Sequence, residues 1–497
     1  MKYTILPMQP TPNGRMHIGH GGGTYLRADV LARSLRAEGH DVRVACGSDA
    51  YENWILAASA QDGRTPADTC AVYHSGILSD LTALDINFDV WIDPLNEPHR
   101  QAYLDIHTEL FREVSASGGA ALETELVPYA EADDSPLLGT FIAGDCPNCG
   151  APAGGSSCTG CSEHFQPSQL LNPHARLSDT AIVWREEKNW FLRPRSAANL
   201  LAELESTGLA AEHVAVAARY LERSGGRIRL SGPGTWGVTS PLLPDGWVLS
   251  NSYFLYCLYA SRQVADEAAP EPFAAGSGVV TVGIFGTDNS APGLIVPGLY
   301  AQATEGRLRA FNHTVVNGML DLDGQKCSTS KRYGIWLKDV LGSGMVSSDE
   351  LRFALSGVDL DRGRANLNLP DLVATINGFR GAVRDRVVPA LTQAPALAGV
   401  DQDVLATQRR SLQPASLNLP SARAVLDDYL FGPAPDPARW LASLAALAAP
   451  LTPRLSAAIT AAAAGTAGND VLNDVLGVGD LTADRLESVV RRGGSSS

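Results

Sequence analysis

Two histidines stand three residues apart in the segment HIGH, which runs from His17 to His20 and is followed by a run of glycines. The apolar stretch Tyr3–Leu6 precedes this segment, and apolar residues recur at helical spacing after it. The pattern predicts that HIGH lies where a strand passes into a helix. A helix N-terminus offers unpaired backbone N–H groups and a partial positive charge, which favour an anion such as a phosphate. Gly19 would let such a ligand approach the backbone, although an isolated H-x-G-H is also compatible with a turn that carries two surface histidines.

Four of the eight cysteines form two C-x-x-C pairs, Cys146 with Cys149 and Cys158 with Cys161. Each pair can place two thiolates on a tight turn, and four thiolates complete the tetrahedron of a structural zinc site with no open position. The spacing therefore predicts zinc, and two redox-active C-x-x-C motifs are the alternative. The other four cysteines are scattered, which argues against a disulfide framework.

A second polar segment, KCSTSKR, lies far downstream and follows the strand-like run HTVVNG. Lysines and small hydroxyl residues can surround a polyphosphate, although such a segment on its own is also compatible with a solvated loop. If HIGH and this segment belong to two halves of one sheet, both can serve one phosphate-binding site. The candidate residues of the second segment are Lys326, Ser328, Ser330 and Lys331.

The elements that must position these residues alternate between strand-like and helical runs, which predicts an α/β fold with a Rossmann-type parallel sheet. The sheet is expected to be split by an inserted domain with the zinc knuckle and to be followed by a C-terminal α-helical bundle. The expected divisions are the first half of the Rossmann domain at 1–115, the inserted connective domain at 116–215, the second half of the Rossmann domain at 216–335, a linker at 336–365, the helical bundle at 366–490 and a disordered tail at 491–497.

The composition is that of a globular protein with several domains, because 45% of the 497 residues are hydrophobic and 19% are charged. The net charge of −15 excludes an overall basic footprint for nucleic acid but leaves a local basic groove open. The sequence contains no apolar run long enough to predict a membrane span, and its start lacks the apolar core of a signal peptide. We therefore expect a cytoplasmic protein.

Together these motifs resemble those of the class I aminoacyl-tRNA synthetases, and within that class the methionyl-tRNA synthetases. HIGH is similar to the first signature of the class, and KCSTS is similar to the second signature, KMSKS. The resemblance continues through GSDAYENWI, the cysteine knuckle, FGTD and DELRFALS. It implies a ligase that joins an amino acid to the α-phosphate of ATP and then transfers the aminoacyl group. It also implies that 336–365 contacts the stem and that 366–490 is similar to an anticodon-binding bundle.

The resemblance implies that the two signatures hold ATP, with Mg²⁺ bridging its phosphates. His17 and His20 would contact the phosphates, and the loop at Lys326 would close over the departing pyrophosphate. Thr329 stands at the position of the family's second lysine, and Lys331 is the candidate substitute. The remaining nucleotide contacts that the resemblance implies are Gly19, Gly286 and Asp288.

The resemblance places the α-ammonium group of the substrate on Asp49, but the residues expected around the substrate side chain differ from the family's. Thr11 stands in place of a tyrosine, and Leu249 in place of the pocket tryptophan. A pocket distinguishes apolar side chains at roughly 1–3 kcal/mol per methylene, so these changes predict a substrate other than methionine. The candidate amino-acid-binding residues are Thr11, Asp49, Leu249, Ser252, Tyr253, Pro292 and Gly293.

The C-terminal region departs from the family as well. The helix matching the one with the family's anticodon-reading pair is about one turn short, and 366–497 contains eleven Arg, no Lys and twelve acidic residues. This is a poor footprint for tRNA, since phosphate binding depends on clustered cations. Three hypotheses remain open: a tRNA ligase, a ligase that passes the aminoacyl group to a small amine or carrier, and a catalytically silent regulatory paralogue. The notable side chains left in this region are Arg380, Arg384, Arg386 and Trp440.

Overall fold

The structure is a computed structural model, and it describes residues 1–250, 252–266, 270–329, 332–394, 396–466 and 468–491. The strands are β1 (Lys2–Pro7), β2 (Asp41–Gly47), β3 (Val90–Ile92), β4 (Ala120–Ala130), β5 (Ile142–Asp145), β6 (Pro152–Gly154), β7 (Leu171–Ala175), β8 (Ile182–Leu192), β9 (Ile228–Arg229), β10 (Ser231–Pro233), β11 (Trp247–Leu249), β12 (Val279–Gly286), β13 (His313–Asn317), β14 (Leu320–Leu322), β15 (Gln325–Lys326), β16 (Gly334–Ile335), β17 (Ala365–Leu367) and β18 (Val490–Arg491). The α-helices are α1 (Ile18–His20), α2 (Leu26–Ala37), α3 (Trp54–Asp62), α4 (Pro66–Ala83), α5 (Arg100–Ala116), α6 (Ala197–Ser206), α7 (Ala211–Arg223), α8 (Tyr253–Gln263), α9 (Val296–Ala303), α10 (Leu337–Gly342), α11 (Ser348–Ser356), α12 (Leu369–Ala382), α13 (Val388–Gln393), α14 (Gln402–Arg410), α15 (Leu419–Phe431), α16 (Pro437–Leu451), α17 (Pro453–Ala463) and α18 (Ala483–Glu487). Among the described residues, no helix is both long enough and apolar enough to cross a bilayer.

The chain forms two compact units, and the first consists of Met1–Asn13, Arg43–His74 and Phe88–Val316. Its centre is a five-stranded sheet with the order β13-β12-β1-β2-β3, in which β1 pairs in parallel with β12 and β2 in parallel with β3. The early strands thus lie on one side of β1 and the late strands on the other, so the sheet has a topological switch point at β1. In open α/β sheets, ligands bind beyond the carboxyl ends of the strands at such a point.

The segment between β3 and β12 confirms the predicted insertion into the parallel sheet. It contains two smaller three-stranded sheets, with the orders β4-β8-β9 and β6-β5-β7. The second of these sheets surrounds the four clustered cysteines and has its own small apolar core. The main core of this unit lies around the aromatic side chains of α8, where Phe254 packs against Phe273 and Tyr300.

The second unit consists of Gly14–Val42, Ser75–Asn87 and the described residues from Asn317 onward. It contains HIGH, the loop at Lys326 and the C-terminal helices, and the helical bundle is confirmed. Arg352 of α11 is fully buried and donates hydrogen bonds to Asp29 of α2 (2.6 Å) and to the carbonyls of Pro450 and Leu451 in α16 (both 2.9 Å). One side chain therefore joins the helix after HIGH to the bundle.

Candidate active site

The two histidines of HIGH lie at the start of a helix, as the sequence predicts. His17 is the N-cap of α1, and its Nδ1 accepts a hydrogen bond from the backbone N–H of Gly19 (3.1 Å). The backbone N–H of His17 donates to Nδ1 of His20, at 3.4 Å. Because both Nδ1 atoms act as acceptors, the proton of each neutral ring lies on Nε2. Each ring therefore has its Nε2–H left as the donor toward a ligand.

The imidazoles of His17 and His20 stack with their ring centroids 3.7 Å apart. Burial, and then the positive charge of Lys326, lower the pKa of His20 to about 4. The pKa of His17 is also well below its ordinary value, because of burial first and then because of His20 and Lys326. Both rings are thus neutral at pH 7, so HIGH offers hydrogen-bond donors and Lys326 supplies the positive charge.

The glycines after HIGH allow close packing at the helix start. The chain is π-helical over Gly21–Tyr25, and Gly23 departs from helical geometry there, with φ −85° and ψ −113°. A Cβ on Gly23 would lie 2.9 Å from the side-chain nitrogen of Asn317, and a Cβ on Gly22 would lie 3.2 Å from Leu355. Larger residues would therefore push this turn away from its neighbours within the unit.

The loop after Lys326 is held at its base by a backbone pair. Ser328 and Tyr333 each donate a backbone hydrogen bond to the other, at 2.8 and 3.0 Å. The methyl group of Thr329 packs against Gly14, where a Cβ would lie 2.1 Å from Thr329 Cγ2. Thr329 therefore fills space beside the segment that leads into HIGH. Two candidate residues, Ser330 and Lys331, lie outside the described residues.

In the first unit, Asp49 lies just beyond β2, and its backbone N–H donates to the carbonyl of Pro10 (2.9 Å). Burial, and then the negative charge of the neighbouring Glu52, raise the pKa of Asp49 well above its ordinary value. Burial also raises the pKa of Glu52. Two buried carboxylates that disfavour each other's charge would be stabilised by a cation such as an α-ammonium group. Glu52 was not predicted from the sequence.

Tyr103 connects Asp49 to Ser252, another candidate residue. Its phenol is buried, and burial followed by the charge of Asp49 raises the pKa of Tyr103, while a side-chain hydrogen bond with Ser252 partly opposes this shift. Tyr253, the next residue, is buried, and its hydroxyl donates to the backbone carbonyl of Leu6 in β1 (2.9 Å). The structure thus brings Asp49 and Ser252 together through a tyrosine that the sequence analysis missed.

The end of β12 carries the candidate nucleotide residues of the first unit. The strand ends at Gly286, and Asp288 follows on a single 3₁₀ turn, where it is partly exposed and accepts a hydrogen bond from the side-chain amide of Asn289 (3.2 Å). A carboxylate at this position can accept hydrogen bonds from hydroxyl groups of a ligand. Two candidates for the amino-acid pocket, Thr11 and Leu249, are also partly exposed.

A histidine that sequence analysis missed reaches the segment with Pro292 and Gly293. The Nε2 of His164 accepts a hydrogen bond from the backbone N–H of Ala291 at 3.4 Å, although the two residues are 127 positions apart. Burial lowers the pKa of His164 to about 4, so the ring is neutral. A Cβ on Gly293 would lie 2.4 Å from the ring of Phe285, which therefore covers this glycine. No local pattern in the sequence signals this contact.

The four cysteines of the insertion come together as a set of metal ligands. Their sulfur atoms all lie within 4.8 Å of one another, and Sγ–Sγ distances of 3.7 Å separate Cys146 from Cys161 and Cys149 from Cys158. Zn–S bonds of about 2.3 Å in a tetrahedron place sulfur atoms about 3.8 Å apart, so the residues present fit zinc. The set could hold a metal ion with a purely structural role, because four thiolates leave no position for a substrate.

The polar side chains of the C-terminal bundle are engaged within the second unit. Arg380 is buried, and its guanidinium pairs with both carboxylate oxygens of Glu350, at 2.7 and 3.0 Å. Trp440 is also buried, and its indole N–H donates to the backbone carbonyl of Tyr429 (3.0 Å). The guanidinium of Arg386 lies 5.7 Å from the ring of Trp440, whereas Arg384 is exposed.

The family described as tRNA synthetases class I (M) matches residues 5–379. Since this match covers most of the chain, the chain belongs to the class I aminoacyl-tRNA synthetases. Among its relatives, the methionine–tRNA ligase of Roseiflexus sp. (strain RS-1) is 27% identical over 435 residues, which are 81% of this chain and 72% of the relative. The methionine–tRNA ligase of Roseiflexus castenholzii is 26% identical over 436 residues, with the same coverage. Within the class, the chain is a ligase similar to methionyl-tRNA synthetase.

The fold agrees with this assignment. A crystal structure of Mycobacterium tuberculosis methionyl-tRNA synthetase bound by methionyl-adenylate matches with a TM-score of 0.67. The match covers 97% of this chain and 99% of the other, at 18% sequence identity. The shared architecture is therefore an ATP-using synthetase fold, while the low identity leaves ample room for changes in the site.

Proposed function

We propose that the protein activates an amino acid other than methionine with ATP. The observation that carries this proposal is the intact pair of neutral imidazoles in HIGH beside Lys326, combined with changed residues on the amino-acid side. The substrate carboxylate would attack the α-phosphorus of ATP, and the bond from that phosphorus to the bridging oxygen would break as pyrophosphate leaves. Mg²⁺ bound to the phosphates would share in neutralising their charge.

The Nε2–H groups of His17 and His20 would act at the step where charge develops on the phosphate oxygens. Donors fixed in advance in a partly buried site stabilise such charge without reorganising, and this is usually the largest single contribution to catalysis. Lys326 would accompany the leaving pyrophosphate. The intact donors argue against a catalytically silent paralogue. Thr329 fills the position of a second lysine, so activation is expected to be slower than with two lysines.

Asp49 would bind the α-ammonium group of the amino acid, and Gly286 and Asp288 would bind the ribose. The raised pKa of Asp49 supports this role, since a bound ammonium ion would compensate the buried negative charge. The relatives, named as methionine–tRNA ligases, act on methionine. The changes at Thr11 and Leu249 argue that this chain does not.

The test is ATP–pyrophosphate exchange with each of the common amino acids, with the His17→Ala variant as the matched negative control. We expect exchange that depends on one amino acid or a small group that excludes methionine, and that falls by about a hundredfold or more in the variant. Exchange that is absent for every amino acid would refute activation. Exchange driven best by methionine would refute the altered pocket alone.

A ligase that no longer reads an anticodon is the second candidate, and Arg380 and Trp440 favour it. Both side chains are buried and have partners within their own unit. Recognition of single-stranded RNA needs aromatic and cationic side chains that can stack on exposed bases. The acceptor would then be a small amine or carrier. Acceptor trials with the activated amino acid, using whole tRNA in one arm and small amines in the other, distinguish these functions.

A further inference from the structure

Gln9 is a buried polar side chain that the description of the site has not used. It lies two residues beyond the end of β1 and is 4% exposed. Within the described part of the chain, neither its side-chain nitrogen nor its side-chain oxygen has a hydrogen-bond partner. Buried polar groups are nearly always paired, and an unpaired one is destabilising, so the exception calls for an explanation.

The backbone around Gln9 places it at the switch point of the sheet. The preceding residue, Met8, donates its backbone N–H to the carbonyl of Ile284 in β12 (2.8 Å). The following residue, Pro10, accepts the backbone N–H of Asp49 (2.9 Å). Gln9 is thus flanked on one side by the strand that ends at Gly286 and on the other by the carboxylate proposed to bind the α-ammonium group. This is where an open α/β sheet binds its ligand.

We propose that Gln9 recognises the side chain of the amino acid and that this side chain is neutral and carries a hydroxyl or carboxamide group. The inference rests on the proposed function, because it assigns the substrate class of the same site. A carboxamide both donates and accepts hydrogen bonds, and a hydroxyl or a second carboxamide can answer both. An apolar side chain would leave both atoms of the Gln9 amide unpaired, and the thioether of methionine is only a weak acceptor.

Gln408 of α14 shows what a structural buried glutamine looks like in the same chain. It is 1% exposed, and its side-chain nitrogen donates to the carbonyls of Ala422 (3.2 Å) and Leu447 (3.0 Å). Replacing a paired amide leaves its partners unsatisfied, whereas replacing an unpaired one does not. Gln408→Leu should therefore lower the melting temperature of the ligand-free protein, while Gln9→Leu should leave it unchanged or raise it. A fall with Gln9→Leu equal to that with Gln408→Leu would overturn the inference.

The activity test compares wild type, Gln9→Leu and Gln9→Met in ATP–pyrophosphate exchange. The substrates are glutamine, asparagine, homoserine and threonine on the polar side and methionine and norleucine on the apolar side. We expect the wild type to prefer a polar substrate and both variants to lose at least about tenfold of that preference. A wild type that prefers an apolar amino acid, or variants with an unchanged ratio, would overturn the inference and leave the proposed activation standing.

Exchange that is absent with every substrate would instead refute the proposed activation. The inference would then be decided by the melting temperature with each amino acid added, since a ligand that binds only the folded protein stabilises it. A rise with polar amino acids that is present in the wild type and absent in Gln9→Leu would support Gln9 as the recognition residue. Equal shifts in both proteins, or none in either, would overturn it.

Discussion

The replacement of His20 by alanine should separate catalysis from folding. His20 is partly exposed, and it accepts one weak backbone hydrogen bond of 3.4 Å from His17. Its ring offers one Nε2–H donor, and losing one such donor costs about 2.7–4 kcal/mol in the transition state, or about 10²–10³ in rate. Because few other contacts are lost, the melting temperature of His20→Ala should stay close to that of the wild type.

His17→Ala is the informative comparison, since His17 is buried and caps the helix through Gly19. The variant should lose the same factor of about 10²–10³ in rate. Loss of the cap adds a cost of about 0.5–2 kcal/mol in stability, so its melting temperature should fall.

The assay is ATP–pyrophosphate exchange with the best amino acid, measured beside thermal unfolding, and the exposed His174→Ala is the control that should leave both unchanged. Full exchange in His20→Ala would refute the role of Nε2–H as a donor. Equal melting temperatures for His17→Ala and wild type would refute the capping argument.

Three further predictions concern the metal, the buried carboxylate and the acceptor. Metal analysis should find about one zinc per chain, and its removal by a chelator should lower the melting temperature; a protein without metal whose four thiols titrate freely would contradict this. Asp49→Asn should abolish exchange yet raise stability more at pH 8 than at pH 4, because a folded-state pKa above that of the unfolded chain lowers stability as pH rises toward it; stability that is lost at pH 8 would refute the pKa argument. Whole tRNAs should bind weakly, equally and with strong salt dependence, and tight binding that depends on the anticodon would restore an ordinary synthetase.

The features that the sequence predicts well are local ones. The HIGH segment and the helix after it follow from hydrophobic spacing over a few residues, and the cysteine knuckle follows from two short pairs. The parallel sheet and its insertion are confirmed because strand-like and helical runs alternate on either side of the knuckle. The assignments of individual site residues, including Ser330 and Lys331 in the loop, stay predictions.

The features that the sequence could not predict depend on contacts between distant segments. His164 meets Ala291 only because the insertion folds back on the end of β12, and Tyr103 meets Ser252 only through helix packing. Gln9 stands next to Thr11 in the chain, but its significance comes from burial without a partner, which a string of letters does not show. Glu52 likewise becomes notable only once its carboxylate is found beside Asp49.

The central claim is that this ligase has kept the chemistry of its class and changed its amino acid. The most direct measurement is kcat/KM for adenylate formation with methionine and with every other common amino acid, under one set of conditions. The account predicts at least one amino acid with kcat/KM about a hundredfold or more above that of methionine, since several altered pocket residues each contribute roughly 1–3 kcal/mol. A kcat/KM that is highest for methionine would contradict it.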